Sequence, residues 1–207
     1  MLPVSEIVET IIGEEPCAGF PCALVRLSGC NLDCAWCDTP LRDKVSREYS
    51  ISELVDIVEK SGRPWALITG GEPLMNPKTP QLVESILNAG ISVLVETNGT
   101  FDIGALPKAA VKSVDIKTPS SGFAGSFLES NIDLLGPHDA IKFVIADRAD
   151  FDWAVSEAER LGIFGRKQVV FSPVANRLSP SILAKWIMDS RKPARLSVQL
   201  HKILGLP

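Results

Sequence analysis

The run Ala23-Leu24-Val25-Arg26-Leu27-Ser28-Gly29-Cys30-Asn31-Leu32-Asp33-Cys34-Ala35-Trp36-Cys37-Asp38-Thr39 decides how the chain is read. Its first five residues are apolar but for one arginine, as expected of a buried strand. Three cysteines then follow within eight residues at C-x3-C-x2-C spacing. A strand that ends in such a loop presents soft thiolates from one short segment, the ligands that iron–sulfur clusters and zinc require. Three thiolates hold three corners of a [4Fe–4S] cube and leave the fourth iron open. A structural zinc needs a fourth ligand, and Cys17, Cys22, His138 and His201 are the remaining cysteines and histidines.

Working outward, the same arrangement recurs. Residues 21–28 form the first confident strand, and short apolar runs at 65–69, 91–96, 111–117, 140–145, 168–171 and 196–200 read as buried strands. Between them, apolar residues at helical spacing mark helices over 79–89, 150–161 and 179–190, the first closed by Gly90 and the second by Gly162. Ser50, with Glu53 three residues on, forms a capping box for a helix ending near Lys60. Residues 4–12 alternate polar and apolar, as in a short strand. Continuous apolar strands alternating with amphipathic helices indicate an α/β fold with a mainly parallel sheet. Six or seven such strands fall short of the eight of a closed barrel. An open, partial TIM-type barrel with outer helices is therefore expected over one domain, residues 1–207, with a doubly wound sheet as the second choice. In either case ligands bind where the loops follow the strands.

Composition narrows the function. The 207 residues are 45% hydrophobic and 22% charged, with a net charge of −4, which suits a globular domain. No Lys/Arg run exceeds two residues, so no basic footprint for nucleic acid is present. No apolar run is long enough to span a bilayer, and residues 1–6 lack the features of a signal peptide. Five cysteines, three of them crowded together, point to a reducing cytoplasm and a metal site instead of disulfides.

The cysteine spacing, with Trp36 just before Cys37, resembles the signature of the radical S-adenosylmethionine superfamily. Ile68-Thr69-Gly70-Gly71-Glu72-Pro73 resembles its second marker, a glycine-rich turn beside the cofactor's amino group. The resemblance implies a [4Fe–4S] cluster on Cys30, Cys34 and Cys37. Its open iron would chelate S-adenosylmethionine, and reductive cleavage would release a 5′-deoxyadenosyl radical.

Further residues narrow the resemblance. Gly13-Glu14, Arg26, Cys37-Asp38-Thr39, Glu96-Thr97-Asn98-Gly99-Thr100, Asp115-Ile116-Lys117 and Gln199-Leu200-His201-Lys202 together look like the 7-carboxy-7-deazaguanine synthase family. Members convert 6-carboxy-5,6,7,8-tetrahydropterin to 7-carboxy-7-deazaguanine, with loss of ammonia, for queuosine and other deazapurines. By that resemblance Thr39 helps bind Mg2+. Gly71, Glu72, Asp115, Ile116, Lys117, Ser172, Pro173, Val174 and Ala175 meet the cofactor. Ile11, Ile12, Gly13, Glu14, Arg26, Thr69, His201 and Pro207 meet the substrate, with Glu14 accepting from the pterin's N–H groups and Arg26 gripping its carboxylate. The chain departs from the pattern at Ile12, where glutamine is usual, at Glu15, where glycine is usual, and at Ser172, where Gln-Pro more often opens the loop. The resemblance also implies a homodimer and an electron donor such as flavodoxin or ferredoxin. No protein acid–base dyad is evident. Two rival readings are an activating enzyme of the glycyl-radical type and a non-enzymatic zinc module.

Overall fold

The computed structural model describes residues 1–40 and 42–207. In chain order its strands are β1 (Leu2–Ile11), β2 (Pro21–Leu27), β3 (Arg47–Tyr49), β4 (Trp65–Gly70), β5 (Ser92–Thr97), β6 (Val111–Ile116), β7 (Ala140–Ile145), β8 (Gln168–Pro173) and β9 (Ala194–Leu196). The helices are α1 (Ile51–Lys60), α2 (Thr79–Asn88), α3 (Asn131–Leu134), α4 (Arg148–Arg160), α5 (Pro180–Ser190) and α6 (Leu200–Leu204). The strands form one sheet in the order β3-β1-β2-β4-β5-β6-β7-β8-β9. The seven strands from β2 to β9 pair in parallel, while β1 runs antiparallel to both β2 and β3. With β3 and β9 as unjoined edges, the sheet is the expected open, partial barrel.

Alternation along the strands explains both layers. One set of side chains, including Val25, Ile68, Val95, Val114, Phe143 and Phe171, faces outward and packs with Leu54, Val58, Leu82, Ile86, Phe151 and Leu183 from the helices. The opposite set faces inward. At its lower level Leu24, Leu67 and Leu94 are register partners on β2, β4 and β5, and Val111 of β6 follows Leu94. Ile12, Cys17 and Cys22 join these leucines in a second apolar cluster that plugs the barrel floor. Two residues further along the same faces stand Arg26, Thr69, Glu96 and Ser113. The inner face thus changes from apolar to polar toward the C-terminal ends of the strands.

Local signals hold at the helix ends. Ser50 accepts from the Glu53 amide (3.2 Å) while the Glu53 carboxylate accepts from the Ser50 amide (2.8 Å), completing the capping box. Asp147 caps α4 through the Asp150 amide. The end of the chain corrects the sequence reading. The last strand is three residues, Ala194–Leu196, where the sequence reading runs over 196–200, and Leu200 instead opens a helix through Leu204. As an edge, β9 has no further strand to pair with. After Ser197 donates to the Phe171 carbonyl, the chain turns, and the Leu200 amide donates to the Gly13 carbonyl. His201 consequently sits in the first turn of α6, over the N-terminal segment. The short β3 and α3 carry too few patterned residues to be read from sequence.

Truncating Leu94 to alanine leaves a void in the inner plug, and we expect a loss of about 3 kcal/mol in denaturant unfolding. Ser50→Ala, at the periphery, is expected to cost only about 1 kcal/mol.

Candidate active site

The cysteine loop begins at Gly29, whose φ of +96° falls in the region that favours glycine. It is then stitched to its neighbours. The Glu72 amide donates to the Gly29 carbonyl (2.8 Å) and the Ala35 amide to the Ser121 carbonyl (3.1 Å). Trp36 Nε1 donates to Ser120 Oγ (2.9 Å). Asn98 Nδ2 donates to Asn31 Oδ1 (2.9 Å), and Asn31 Nδ2 to Thr100 Oγ1 (2.9 Å). Cys30, Cys34 and Cys37 all line one cavity of about 1020 Å³, counted with its open mouth. Burial pushes the Cys30 and Cys34 thiols above their ordinary pKa.

The glycine turn closes one wall of this cavity. A Cβ on Gly71 would lie 2.1 Å from the Gly29 carbonyl oxygen and 2.8 Å from Cys30 Cβ, and one on Gly70 would lie 2.0 Å from the Leu27 oxygen. Only glycine permits these approaches, so the turn packs directly on the cysteine loop. Glu72 lies elsewhere than the resemblance implies. Its carboxylate accepts from Thr97 Oγ1 (2.7 Å) and from the Leu74 (2.9 Å) and Asn98 (2.6 Å) amides, is buried, and does not line the cavity. Burial raises its pKa. Glu72 braces the turn against the loop after β5, and it is Gly70 and Gly71 that line the cavity.

On the far wall, Asp115 and Lys117 line the cavity and pair at 3.0 Å, with Lys117 Nζ 5.3 Å from the Trp36 ring centroid. Burial opposes the Lys117 ammonium, but Asp115 and Cys34 together outweigh it and the pKa rises. Asp115 Oδ1 is buried with no hydrogen-bond partner. Ile116, between them, points its side chain the other way by strand alternation, into the outer core, and does not line the cavity. Ser172, Pro173, Val174 and Ala175 line the cavity.

A second cavity of about 950 Å³ adjoins the first and shares Glu14, Asp38, Thr39, Thr69, Glu96, Lys142 and Gln199 with it. Ile11, Gly13, Arg26, His201 and Pro207 also line it. Arg26 Nε donates to Glu6 Oε2 at 3.1 Å, so part of its charge is matched within the protein. The His201 ring covers Gly13 so closely that a Cβ there would lie 1.7 Å from Nδ1. Burial lowers the His201 pKa. The Pro207 carbonyl accepts from Thr10 Oγ1 (2.7 Å). Ile12 is a correction: its side chain is fully buried in the floor plug, and its amide and carbonyl bond to Phe20 and Gly19. The usual glutamine would have to be buried there, and no substrate contact is open to Ile12.

Where the cavities meet, Lys142 Nζ donates to Glu14 Oε2 and lies 3.9 Å from Asp115 Oδ2. Burial disfavours the Glu14 carboxylate, yet Lys142 more than compensates and its pKa falls below the ordinary value. Thr69 Oγ1 donates to Glu96 Oε2 (2.8 Å), whose pKa burial raises. Asp38 accepts from Gln199 Nε2 (2.9 Å) and from Lys202 Nζ. Lys142, Asp38 and Gln199 line both cavities beyond the residues that the resemblance assigns to the site. Lys142 carried a signal, being a charge inside an apolar strand.

The donor set discriminates between metals. Cys17 and Cys22 lie in the floor plug, His138 is exposed just before β7 at the opposite rim, and His201 belongs to the second cavity. Among the described residues no three Cys, His, Asp or Glu side chains are gathered as around a single bound ion. What marks the site is therefore its chemistry: three thiols in one cavity, no fourth soft ligand in its lining, and room beside them. That fits a cluster with one open iron and leaves a structural zinc of four Cys or His ligands without a fourth ligand in the lining among the described residues. No helix among the described residues is long and apolar enough to cross a membrane.

Comparison with known proteins agrees with this geometry. The radical SAM superfamily profile matches residues 24–118, which run from β2 through the cysteine loop and glycine turn to the end of β6. Enzymes of that superfamily work with a [4Fe–4S] cluster and S-adenosylmethionine. The 7-carboxy-7-deazaguanine synthase of Koribacter versatilis is 37% identical, covering 100% of this chain and 98% of its own. The synthase of the same name from Chlorobaculum tepidum is 36% identical over 100% and 95%. Among solved structures, QueE from Escherichia coli superposes with a TM-score of 0.78 at 21% identity, covering 97% of this chain and 94% of its own, which speaks to the fold. On full-length similarity to such relatives, the chain belongs to the 7-carboxy-7-deazaguanine synthase family of the radical SAM superfamily.

Proposed function

We propose that this protein is a radical S-adenosylmethionine lyase, acting as one domain, that converts 6-carboxy-5,6,7,8-tetrahydropterin to 7-carboxy-7-deazaguanine with loss of ammonia. The observation that carries this reading is the shared wall of the two cavities, one holding three thiols and the glycine turn, the other the N-terminal segment, Arg26 and His201. A cofactor in the first and a small heterocycle in the second would touch where the cavities meet. An activating enzyme of the glycyl-radical type acts on a partner protein and has no need of this second chamber.

Cys30, Cys34 and Cys37 would hold the cluster, and Gly71, Asp115, Lys117 and residues 172–175 would cradle S-adenosylmethionine beside it. When bound, that pair supplies the one-electron chemistry that opens a C–H bond of the substrate. The chain's own residues position and desolvate. In the second cavity Ile11 and Gly13 offer backbone groups, Glu14 accepts from substrate N–H groups, and Thr69 and His201 border the ring. Arg26, its Nε already held by Glu6, turns its terminal nitrogens to the substrate carboxylate. The hydroxyl of Thr39, lining both cavities, would hold Mg2+ against the substrate. Pro207, anchored by Thr10, closes the far end. Holding the reacting groups in register at that junction is where the protein contributes to rate.

The reading carries with it a cytoplasmic setting, a one-electron donor such as flavodoxin or ferredoxin, and a homodimer. Exposed Ile203 and Leu204, beside the cavity-lining Leu206, are apolar surface that a second copy would cover.

Anaerobic reconstitution with iron and sulfide, followed by S-adenosylmethionine, reductant, Mg2+ and the carboxypterin, is expected to give 7-carboxy-7-deazaguanine and ammonia by mass spectrometry; cofactor cleavage without that product rejects the substrate. Cys34→Ser is expected to lose most of its bound iron and the cluster's optical band, and full retention would remove Cys34 from the ligand set. Thr39→Ala is expected to weaken the Mg2+ dependence of turnover by about tenfold, and an unchanged dependence would release Thr39 from that role.

A further inference from the structure

Lys142 is the lone charge in strand Ala140–Ile145. It faces inward beside Asp115, its register partner on β6, with a side chain only 11% exposed, and it borders both cavities. Two cations and two carboxylates here divide into pairs. Lys117 lies 3.0 Å from Asp115, whereas Lys142 donates to Glu14 and stands 3.9 Å from Asp115. Glu96, held by the Thr69 hydroxyl, faces the same space. Asp38, Gln199 and His201 also lie near Glu14 in the second cavity.

A carboxylate that is nine-tenths buried takes up a proton when no cation faces it. The two states recognise different ligands. Ionised, a carboxylate only accepts, and so fits a ligand edge that offers N–H donors side by side; protonated, it donates from one oxygen and mismatches that edge. We propose that Lys142 is a specificity-determining positioning residue. By pairing with Glu14 across the inner face, it keeps that carboxylate acceptor-only where the cavities meet. The site thereby admits heterocycles whose recognised edge carries adjacent N–H donors, as an aminopyrimidinone ring does, and rejects those with an acceptor there. This deepens the pterin reading of the second cavity and rests on it.

The test uses full-length reconstituted protein and two readouts. In infrared difference spectra against the wild type, Lys142→Met is expected to gain a protonated-carboxyl stretching band that Lys142→Met/Glu14→Gln does not gain. By fluorescence titration, Lys142→Met is expected to bind 6-carboxypterin about tenfold more weakly, with KM for the tetrahydropterin raised far more than kcat is lowered. Lys142→Arg, which keeps a cation, is expected to recover affinity to within about threefold of wild type. In a Glu14→Gln background the Lys142→Met change should shrink below about threefold. An equal loss of affinity in both backgrounds, or no new infrared band in Lys142→Met, overturns the inference. A wild type that cleaves S-adenosylmethionine but binds no 6-carboxypterin instead overturns the pterin reading, and the specificity assignment falls with it.

Discussion

A strand shows every second side chain to the same face, and this chain uses that constraint to make a floor and a site from the same strands. At one level the inner face carries Leu24, Leu67, Leu94 and Val111; one step further along it carries Arg26, Thr69, Glu96 and Ser113. The apolar level, sealed by Ile12, Cys17 and Cys22, keeps water from entering from below. The polar level then opens toward the loops that follow the strands, where parallel α/β folds place their chemistry. Slipping any one strand by a single residue would exchange its inward and outward side chains.

That arrangement puts ionisable groups where charge is costly. The protein meets the cost by pairing: Glu14 with Lys142, Asp115 with Lys117, and Arg26 with Glu6. Glu96 has a hydroxyl donor, and burial, opposed by the nearby Lys142 and Arg26 and aided by Glu14, raises the pKa of its carboxyl. Charges held this way are fixed in direction before a ligand arrives, which is the useful property of a site that must orient a heterocycle against a cofactor.

The upper rim obeys a second constraint, that of close backbone approach. Gly70 and Gly71 stand so near Leu27, Gly29 and Cys30 that a methyl group would collide with main-chain atoms. Glu72, buried and fully hydrogen-bonded, holds this turn to Thr97 and Asn98, and Asn98 in turn reaches Asn31 in the cysteine loop. A familiar motif glutamate thus works here as a brace. Its contribution to any bound cofactor passes through the positions of its neighbours.

Much of this was legible in the residues alone. Apolar runs and capping signals are local, so β2, β4, β7, α1 and α5 lie where pattern and chemistry put them, and Cys30, Cys34, Cys37 and the Gly70-Gly71 turn, paired by their motifs, line one cavity. The exceptions share one cause. Ile12, Glu72 and Ile116 sit inside segments that do border the cavities, but which side each faces depends on strands and loops distant in sequence. The helical turn at Leu200–Leu204 depends on β9 being an edge and on the Gly13 carbonyl, 187 residues earlier, being free to receive an amide. Lys142 announced itself only as a charge in an apolar strand; that it meets Glu14, 128 residues away, is a fact of the curled sheet. Sequence therefore determined the elements and the metal-ligand chemistry, because both are set by neighbours along the chain. Tertiary structure decided which side chains share a cavity, because burial and charge pairing are set by neighbours across it.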